Sequence, residues 1–336
     1  MSDLWTVVLH YNGLADTRKC LPTLEVQAAA GYPVLLVDNG STDGSHEVIA
    51  KEFPWVKIFR VEQNAGPSAG NNRGIEHAVS QGARRVLLLN NDTTVTPDLL
   101  ARVDTASKAH PEYAVIGPVV NFMDDPDTVM TDGVTFNPPG RGGLFVRKAV
   151  PLVDHETPAI TEVDVVNGVC MMIRAEVFEK IGLFDERFFI YHDETDFCIR
   201  ARRAGFRCGV IGEQHVWHKG SSTMKATGKR FARYFDSRNL VYLLKKHGGA
   251  ADHGRGRFET ATTCFRYLYY RYCHEREDGH PDAADAVIQG LLDGLSGRQG
   301  PFREQRWLML PAVRTLFEVM RRRPRTTTAA APGVRS

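Results

Sequence analysis

Residues 85–92 read RVLLLNND: four apolar residues in a row, then two asparagines and an aspartate. A continuous apolar run that ends abruptly in polar residues is the pattern of a strand buried on both faces, with its carboxyl end open to a ligand. Three runs of the same kind come before it: TVVLHYN (6–12), YPVLLVDNG (32–40) and WVKIFRV (55–61). Helix-length segments lie at about 14–30, 44–53, 68–81 and 97–109. Ser68 reads as one helix cap, and Thr96 before Pro97 marks another start. The alternation predicts an α/β domain with a mostly parallel central sheet flanked by helices. No GxGxxG follows the first strand, which disfavours a dinucleotide-binding version of that architecture.

The pattern loosens between 111 and about 160, where Gly, Pro and Asp point to strands joined by long loops. It then returns to strand and helix up to about 212. After about 226 the chain reads as helices, and the final RRRPRTTTAAAPGVRS is too polar to pack. The expected division is a catalytic domain over 1–225, a C-terminal helical region over 226–320 and a disordered basic tail over 321–336.

With 42 basic and 40 acidic residues the formal charge is +2, which gives no steer toward nucleic acid. The basic excess is local, in Arg314, Arg321, Arg322, Arg323, Arg325 and Arg335. RWLMLPAVRTLFEVMRRR (306–323) is partly amphipathic, which leaves open packing on the protein's own core or peripheral contact with an acidic membrane. Six cysteines without a CxxC pair read as free thiols of a reducing cytosol. The opening MSDLWTVVLHYNG lacks the features of a signal peptide, and no apolar run approaches the roughly 20 residues of a membrane span. The expected location is cytoplasmic, at most peripheral to the inner face of the membrane.

Four stretches carry candidate chemistry. In VDNGSTDGS (37–45), Asp38 ends a strand where a carboxylate can accept from a base or ribose; the plain alternative is a capped turn. NAGPSAGNNRG (64–74) combines small residues that let a phosphate or sugar approach a helix start with Arg73 one turn in, or it is simply a turn; the GK[ST] of a P-loop is missing. In LLLNNDT (87–93), Asn90 and Asp92 share a face and suit a hard cation that carries substrate phosphates, against an Asn/Asp-rich turn. EQHVWHKGSST (213–223) offers His215 and His218, either of which can complete a metal site or serve structure.

These stretches, with VNGVCMMIRAEVFEKIGLFDERFFIYHDETDFCIRARRAG and VWHKGSS, stand in the order and spacing of the family 2 glycosyltransferases. The chain resembles especially the rhamnosyltransferase-like branch, over about residues 5–245. The resemblance implies a GT-A fold and an inverting transfer from a nucleotide-diphosphate sugar, of dTDP or UDP type. It implies that Asp38 binds the nucleobase and Arg73 contacts the nucleotide. Asn90-Asn91-Asp92 occupies the DxD place, so Asp92 is the metal-binding acid, joined by His218, for Mg2+ or Mn2+. His10, Tyr11, Asn12, Asn39, Gly40, Asn64, Gly66 and Gly70 fall around the donor, and Arg238 in YFDSRNL (234–240) matches the arginine facing its diphosphate. Asn167, Gly168 and Trp217 fall on the acceptor side. Asp193-Glu194 occupies the Glu-Asp pair whose second acid is the base. The sequence departs from the family pattern twice: Asn90 replaces the first DxD acid, and Glu194 is one methylene longer than the common Asp.

FFIYHDETDFCIR (188–200) opens on a strand-like aromatic run and then crowds His192, Asp193, Glu194 and Asp196 together. Acids favour a helix start, so Asp193 is expected as N-cap and Asp196 at N3. That leaves Glu194 at the first helical position as base, with Asp193 the fallback. The helix N-terminus favours its ionised form, while the nearby aromatics push the other way.

The rival readings are a nucleotidyltransferase, which would show a Gly-rich basic first loop, and a non-catalytic nucleotide-sugar or carbohydrate-binding protein, which would not need an acid at 194. Acceptors implied by the resemblance are carbohydrates, lipid-linked intermediates or small molecules, in polysaccharide, glycolipid or natural-product glycoside assembly. The helical region is expected to shape the acceptor site or a homodimer contact.

Overall fold

A computed structural model describes residues 2–136, 145–147, 159–220, 222–248, 257–302 and 308–322. The strands are β1 (Leu4–His10), β2 (Val34–Asn39), β3 (Lys57–Val61), β4 (Arg85–Asn90), β5 (Thr93–Val95), β6 (Tyr113–Phe122), β7 (Val129–Thr131), β8 (Val134–Phe136), β9 (Phe145–Arg147), β10 (Ile160–Val163), β11 (Cys170–Arg174) and β12 (Arg207–His218). The helices are α1 (Leu14–Cys20), α2 (Glu25–Ala29), α3 (Ser45–Glu52), α4 (Pro67–Ser80), α5 (Leu99–Ala109), α6 (Ala175–Ile181), α7 (Asp193–Arg203), α8 (Ser222–His247), α9 (Arg257–Glu277), α10 (Pro281–Ser296) and α11 (Leu310–Arg322).

The chain divides into two compact units, residues 1–135 with 147–222, and residues 136–146 with 223–336. In the first, the main sheet runs β10-β12-β6-β11-β4-β1-β2-β3, with β5 added to β12 and β7 to β6. β1 pairs in parallel with both β2 and β4, and β2 with β3. β11 enters antiparallel between β4 and β6, so the sheet is mixed. Because β2 and β4 lie on opposite sides of β1, the chain reverses its direction of growth there, and a crevice opens at the strands' carboxyl ends. Register then fixes what gathers: His10 lies beside Asp38, and Leu9 beside Asn90.

The apolar runs of β1, β2 and β4 are buried along nearly their whole length, as both-face coverage requires. Leu4, Val8, Leu36, Leu87 and Leu89 pack with Leu99, Leu100 and Val103 of α5. On the other face α4 lies close: a Cβ on Gly74 would sit 2.5 Å from Val7 Cγ1 and 2.7 Å from Val37 Cγ2.

Several local expectations shift. α4 starts at Pro67 with Gly66 as N-cap, so Ser68 is inside the helix and its hydroxyl is used elsewhere. α5 starts at Leu99 with Asp98 as N-cap, because Thr96 Oγ1 is taken by His215 Nδ1 at 2.6 Å. The aromatic run at 188–191 is not a strand. Glu186–Phe188 forms a 3-10 turn, and Phe189, Tyr191 and His192 adopt φ of 67°, 67° and 65°. α7 consequently begins at Asp193 with left-handed His192 as its N-cap, in place of Asp193.

The second unit has its own core, built from Leu240, Leu268, Tyr272, Val287, Ile288 and Phe317. α10 crosses α8 tightly: a Cβ on Gly290 would fall 2.4 Å from Tyr234 O, and one on Gly294 2.7 Å from Val241 Cβ. α8 is broken at Gly228, where φ is 85°. Of the expected basic tail, Arg321 and Arg322 belong to α11, and 323–336 lie outside the described residues. All six cysteines are buried free thiols, and no helix among the described residues is long and apolar enough to cross a membrane.

Candidate active site

Three strand ends build the side of the crevice where the donor is expected. Asp38 is fully buried, and its Oδ1 accepts from Ser41 N–H at 3.1 Å. Asn12 ties the β1 loop to the β2 loop: its N–H donates to Ser41 Oγ at 3.0 Å and its Oδ1 accepts from Thr42 N–H at 2.9 Å. Asn39 donates to Asn64 Oδ1 and to Gly66 O, both at 3.1 Å, so the β2 and β3 loops are joined as well. Gly40 takes φ of 77° where a Cβ would lie 2.8 Å from Asn64 N, and a Cβ on Gly70 would strike Leu9 at 2.5 Å. Tyr11 is exposed at the crevice. His10 is different. Its ring nitrogens bond Thr17 Oγ1 at 2.8 Å and Ser45 Oγ at 2.7 Å, and burial holds its pKa down, so the side chain joins α1 to α3 from inside.

Asp92 follows β4, and His218 ends β12. The β5–β12 pairing places His218 opposite Thr93, so His218 Nε2 comes within 3.0 Å of Asp92 Oδ1. Nδ1 faces the Met130 sulfur at 3.4 Å, which accepts but cannot donate. A proton on Nε2 bonds the carboxylate directly; with the proton on Nδ1 instead, Nε2 and the carboxylate would together offer lone pairs to a cation. One hard oxygen donor and one imidazole suit Mn2+ or Mg2+. No group of three or more His, Cys, Asp or Glu gathers among the described residues, so such an ion would take its other ligands from substrate oxygens and water. Asn91 donates to Thr17 Oγ1 at 2.9 Å, and Asn90 N–H bonds Val169 O at 3.0 Å. Both asparagines thus shape the turn that presents Asp92. His215 is structural, held by Thr96 and by Glu213 at 2.7 Å.

The acids are held by α4 as well as by α7. Ser68 donates from Oγ to Asp193 Oδ2 at 2.9 Å and to Phe189 O at 3.1 Å. Asn72 grips the preceding turn through Phe184 O at 2.9 Å and Glu186 Oε1 at 3.1 Å. The Phe189 ring fills the space over Gly66, where a Cβ would be 2.5 Å away. Glu194 is half-buried at the second position of α7, with Gly168 against it: a Cβ there would be 3.5 Å from Glu194 Cβ. Burial, then the charge of Asp193 and a hydrogen bond with it, raise the Glu194 pKa well above the usual carboxylate range. Desolvation therefore outweighs the helix N-terminus. Asp196 is fully buried against Arg200 at 2.8 Å and serves the helix.

Residues 5–182 match the family described as Glycosyl transferase family 2. The chain belongs to that family. Among relatives of this glycosyltransferase are a low-salt glycan biosynthesis hexosyltransferase of Haloferax volcanii, 27% identical over 71% of this chain and 74% of that one. An N-acetylglucosaminyl-diphospho-decaprenol L-rhamnosyltransferase of Mycobacterium tuberculosis is 26% identical over 74% of this chain and 87% of its own. A dTDP-rhamnosyl transferase of Shigella flexneri is 24% identical over 73% and 81%. The rhamnosyltransferase-like branch is thereby supported. The GT-A fold is shared with S. aureus TarS residues 1–349 in complex with UDP-GlcNAc, at TM-score 0.53 and 16% identity over 95% of this chain and 91% of that one. It is also shared with GalNAc-T7 with UDP, GalNAc and Mn2+, at TM-score 0.51 and 14% identity over 83% and 58%.

Within the glycosyltransferase domain, Gly168 adjoins Glu194, and Asn167 Oδ1 caps its own turn by accepting from Val169 N–H at 2.8 Å. Trp217 donates to Pro126 O at 3.3 Å beside His218. Arg73 stands on the exposed side of α4 and pairs with Glu76 at 3.0 Å. Arg238 belongs to the second unit, buried over the Phe235 ring at 4.5 Å and donating to Gly300 O at 2.6 Å. Sequence reading missed Asn72, Lys219 and the use of the Ser68 hydroxyl. Lys219 bonds Asp92 O through its N–H at 3.0 Å and Asp16 through Nζ at 2.7 Å, and its only sequence signal was its place after His218.

Proposed function

We propose that this glycosyltransferase transfers a hexosyl or deoxyhexosyl group, with inversion, from a UDP- or dTDP-sugar to an acceptor hydroxyl. Glu194 is the base. The observation that carries this reading is a carboxylate of raised pKa, set against small Gly168 where an acceptor can approach and fastened through Asp193 to the first turn of α4. Glu194 takes the hydroxyl proton as the acceptor oxygen attacks the anomeric carbon, and the bond to the diphosphate breaks with its electron pair leaving on the diphosphate oxygen. Asp92 and His218 would hold a divalent cation, Mg2+ or Mn2+, which supplies positive charge where the leaving diphosphate gathers negative charge. The donor loops of β1, β2 and β3 place the nucleotide, and Asn167, Gly168 and Trp217 line the acceptor side.

A carbohydrate or lipid-linked acceptor is supported by the diphospho-decaprenol and glycan-assembly relatives. Peripheral membrane contact through the basic end belongs to the same proposal. The full chain should bind anionic vesicles, and a chain cut after Arg322, where α11 ends, should lose that binding. The main test is nucleotide release from a panel of UDP-, dTDP- and GDP-sugars with Mn2+, with Mg2+ and with EDTA. Slow, metal-dependent hydrolysis of a UDP- or dTDP-sugar that is lost in Glu194→Gln supports the reading. A variant that keeps near-normal turnover would show that Glu194 is not the base.

A further inference from the structure

Two atoms at the carboxyl end of β2 break the rule that buried polar groups find hydrogen-bond partners. One is Asp38 Oδ2, which makes no hydrogen bond although the residue is fully buried. The other is Nδ1 of His46 on α3, also buried without one and 4.0 Å from that oxygen. Arg60 of β3, in register with Asp38, brings Nε to 3.3 Å of the same Oδ2, outside hydrogen-bond alignment. Its Nη1 meets His46 Nε2 at 2.5 Å. A guanidinium only donates, so Nε2 accepts and the imidazole proton sits on Nδ1. The three groups therefore cluster as two donors, the His46 N–H and the Arg60 N–H, about one acceptor, Asp38 Oδ2. Ser41 holds the other Asp38 oxygen, so the carboxylate cannot turn away.

We propose that His46 and Arg60 flank Asp38 as specificity-determining residues that read the donor base, selecting one whose edge runs carbonyl, N–H, carbonyl. That edge is the one uracil and thymine present. Cytosine and adenine place an unprotonated ring nitrogen against the carboxylate, lone pair to lone pair. Guanine matches the first two positions but sets its amino group against the Arg60 donor. The 5-methyl group lies off this edge, so uracil and thymine are treated alike. Half the Arg60 side chain is exposed, which leaves it room to swing from over Asp38 to beside a base, while the Asp38 carboxylate, 4.0 Å from His46 Nδ1, keeps the imidazole proton on that nitrogen. A site with buried groups awaiting specific partners rejects ligands that leave those groups unpaired. This inference rests on the proposed use of a nucleotide-diphosphate sugar, and it adds the residues that choose the nucleotide.

The test is calorimetric titration of the full chain, in excess Mg2+, with UDP, dTDP, CDP and GDP. UDP and dTDP should bind with similar Kd and at least ~30-fold more tightly than CDP or GDP. His46→Phe should narrow the UDP-to-CDP ratio by ~10-fold while leaving CDP affinity nearly unchanged, Arg60→Met should narrow the UDP-to-GDP ratio by ~10-fold, and Arg60→Lys, which keeps a donor, should restore part of the latter. Thermal melts of the variants establish that they fold. Equal binding of all four nucleotides by the unaltered chain overturns the inference, as does an equal loss for all four in folded variants. Failure of every nucleotide to bind would overturn the proposed function with it, whereas binding without discrimination overturns the base reading alone.

Discussion

Glu194 sits in surroundings that favour its protonated form, and a base must be ionised to work. The acid limb of the kcat/KM profile should therefore lie above the ~4.3 of an ordinary glutamate. Asp193→Asn removes the neighbouring charge, so the Glu194 pKa falls and the limb moves to lower pH; a limb that stays in place would rule out the coupling. Stability carries the opposite sign. A folded pKa above the unfolded one means that the native state binds the proton more tightly, so its advantage is complete below ~4.3 and is lost as pH rises through the raised value. Glu194→Gln never ionises and keeps that advantage. At neutral pH it should melt higher than the unaltered protein, with the difference vanishing in acid, while turnover falls by ~10²–10⁴-fold and nucleotide binding persists. Melts and transfer assays on one preparation check both.

The element that matters most to those acids is the turn before α7, and the sequence hides it best. A run of Phe, Phe, Ile and Tyr has the composition of a strand, whereas three of the residues between 189 and 192 take left-handed φ. Only tertiary bonds impose that: Asn72 on the turn's start, Ser68 on Phe189 O and the Phe189 ring on Gly66. By contrast β1, β2, β4 and α4 were legible within a few residues, because their apolar periods depend on local burial. Asp38 and Asp92 stand out locally as strand-end acids, but the specific roles expected of them, of His218 and of Glu194 come from the order of whole motifs. His10 was misleading, since nothing in LHYN tells a buried linker from a ligand contact. A pair of glycine variants contrasts left-handed strain in open space with strain and a close side-chain contact together. Gly44→Ala has open space and φ of 74°, so it should cost only ~1–2 kcal/mol of left-handed backbone. Gly66→Ala, at φ of 97°, adds a methyl into the Phe189 ring. It should cost ~1–3 kcal/mol more, by overpacking and by a pairing of that φ with ψ of 164° that only glycine adopts readily, and lower kcat as the acids shift. Equal melting losses with unchanged kcat would mean that the Phe189 contact does not hold the site.

Over the molecule as a whole, the sheet's topology accomplishes what no local stretch does. β11 runs antiparallel between β4 and β6, and β12 is long enough to pair with β6 over most of its length and then with β5. That last pairing carries His218 to Asp92 from a distant part of the chain. Strand direction and partner choice depend on these non-local contacts, which is why the sheet reads as mostly parallel from sequence and is mixed in the fold. The Asp92–His218 pair gives the test at this scale. Because only one carboxylate is present, neither residue alone should retain an ion tightly. His218→Ala should weaken Mn2+ binding by ~10–100-fold, a loss of the size typical when a metal site is disturbed. Asp92→Ala should weaken it further, since it removes the only charged ligand of the pair, and in both variants affinity for a UDP-sugar should fall in step with the metal. Paramagnetic Mn2+ titration, with and without UDP, measures the two losses separately. If UDP-sugar affinity were the same in EDTA as in Mn2+, the pair would be a structural contact, and charge on the leaving diphosphate would have to be met by other cations of the crevice, of which Lys219, already bonded to Asp92 O through its N–H, is the nearest in sequence.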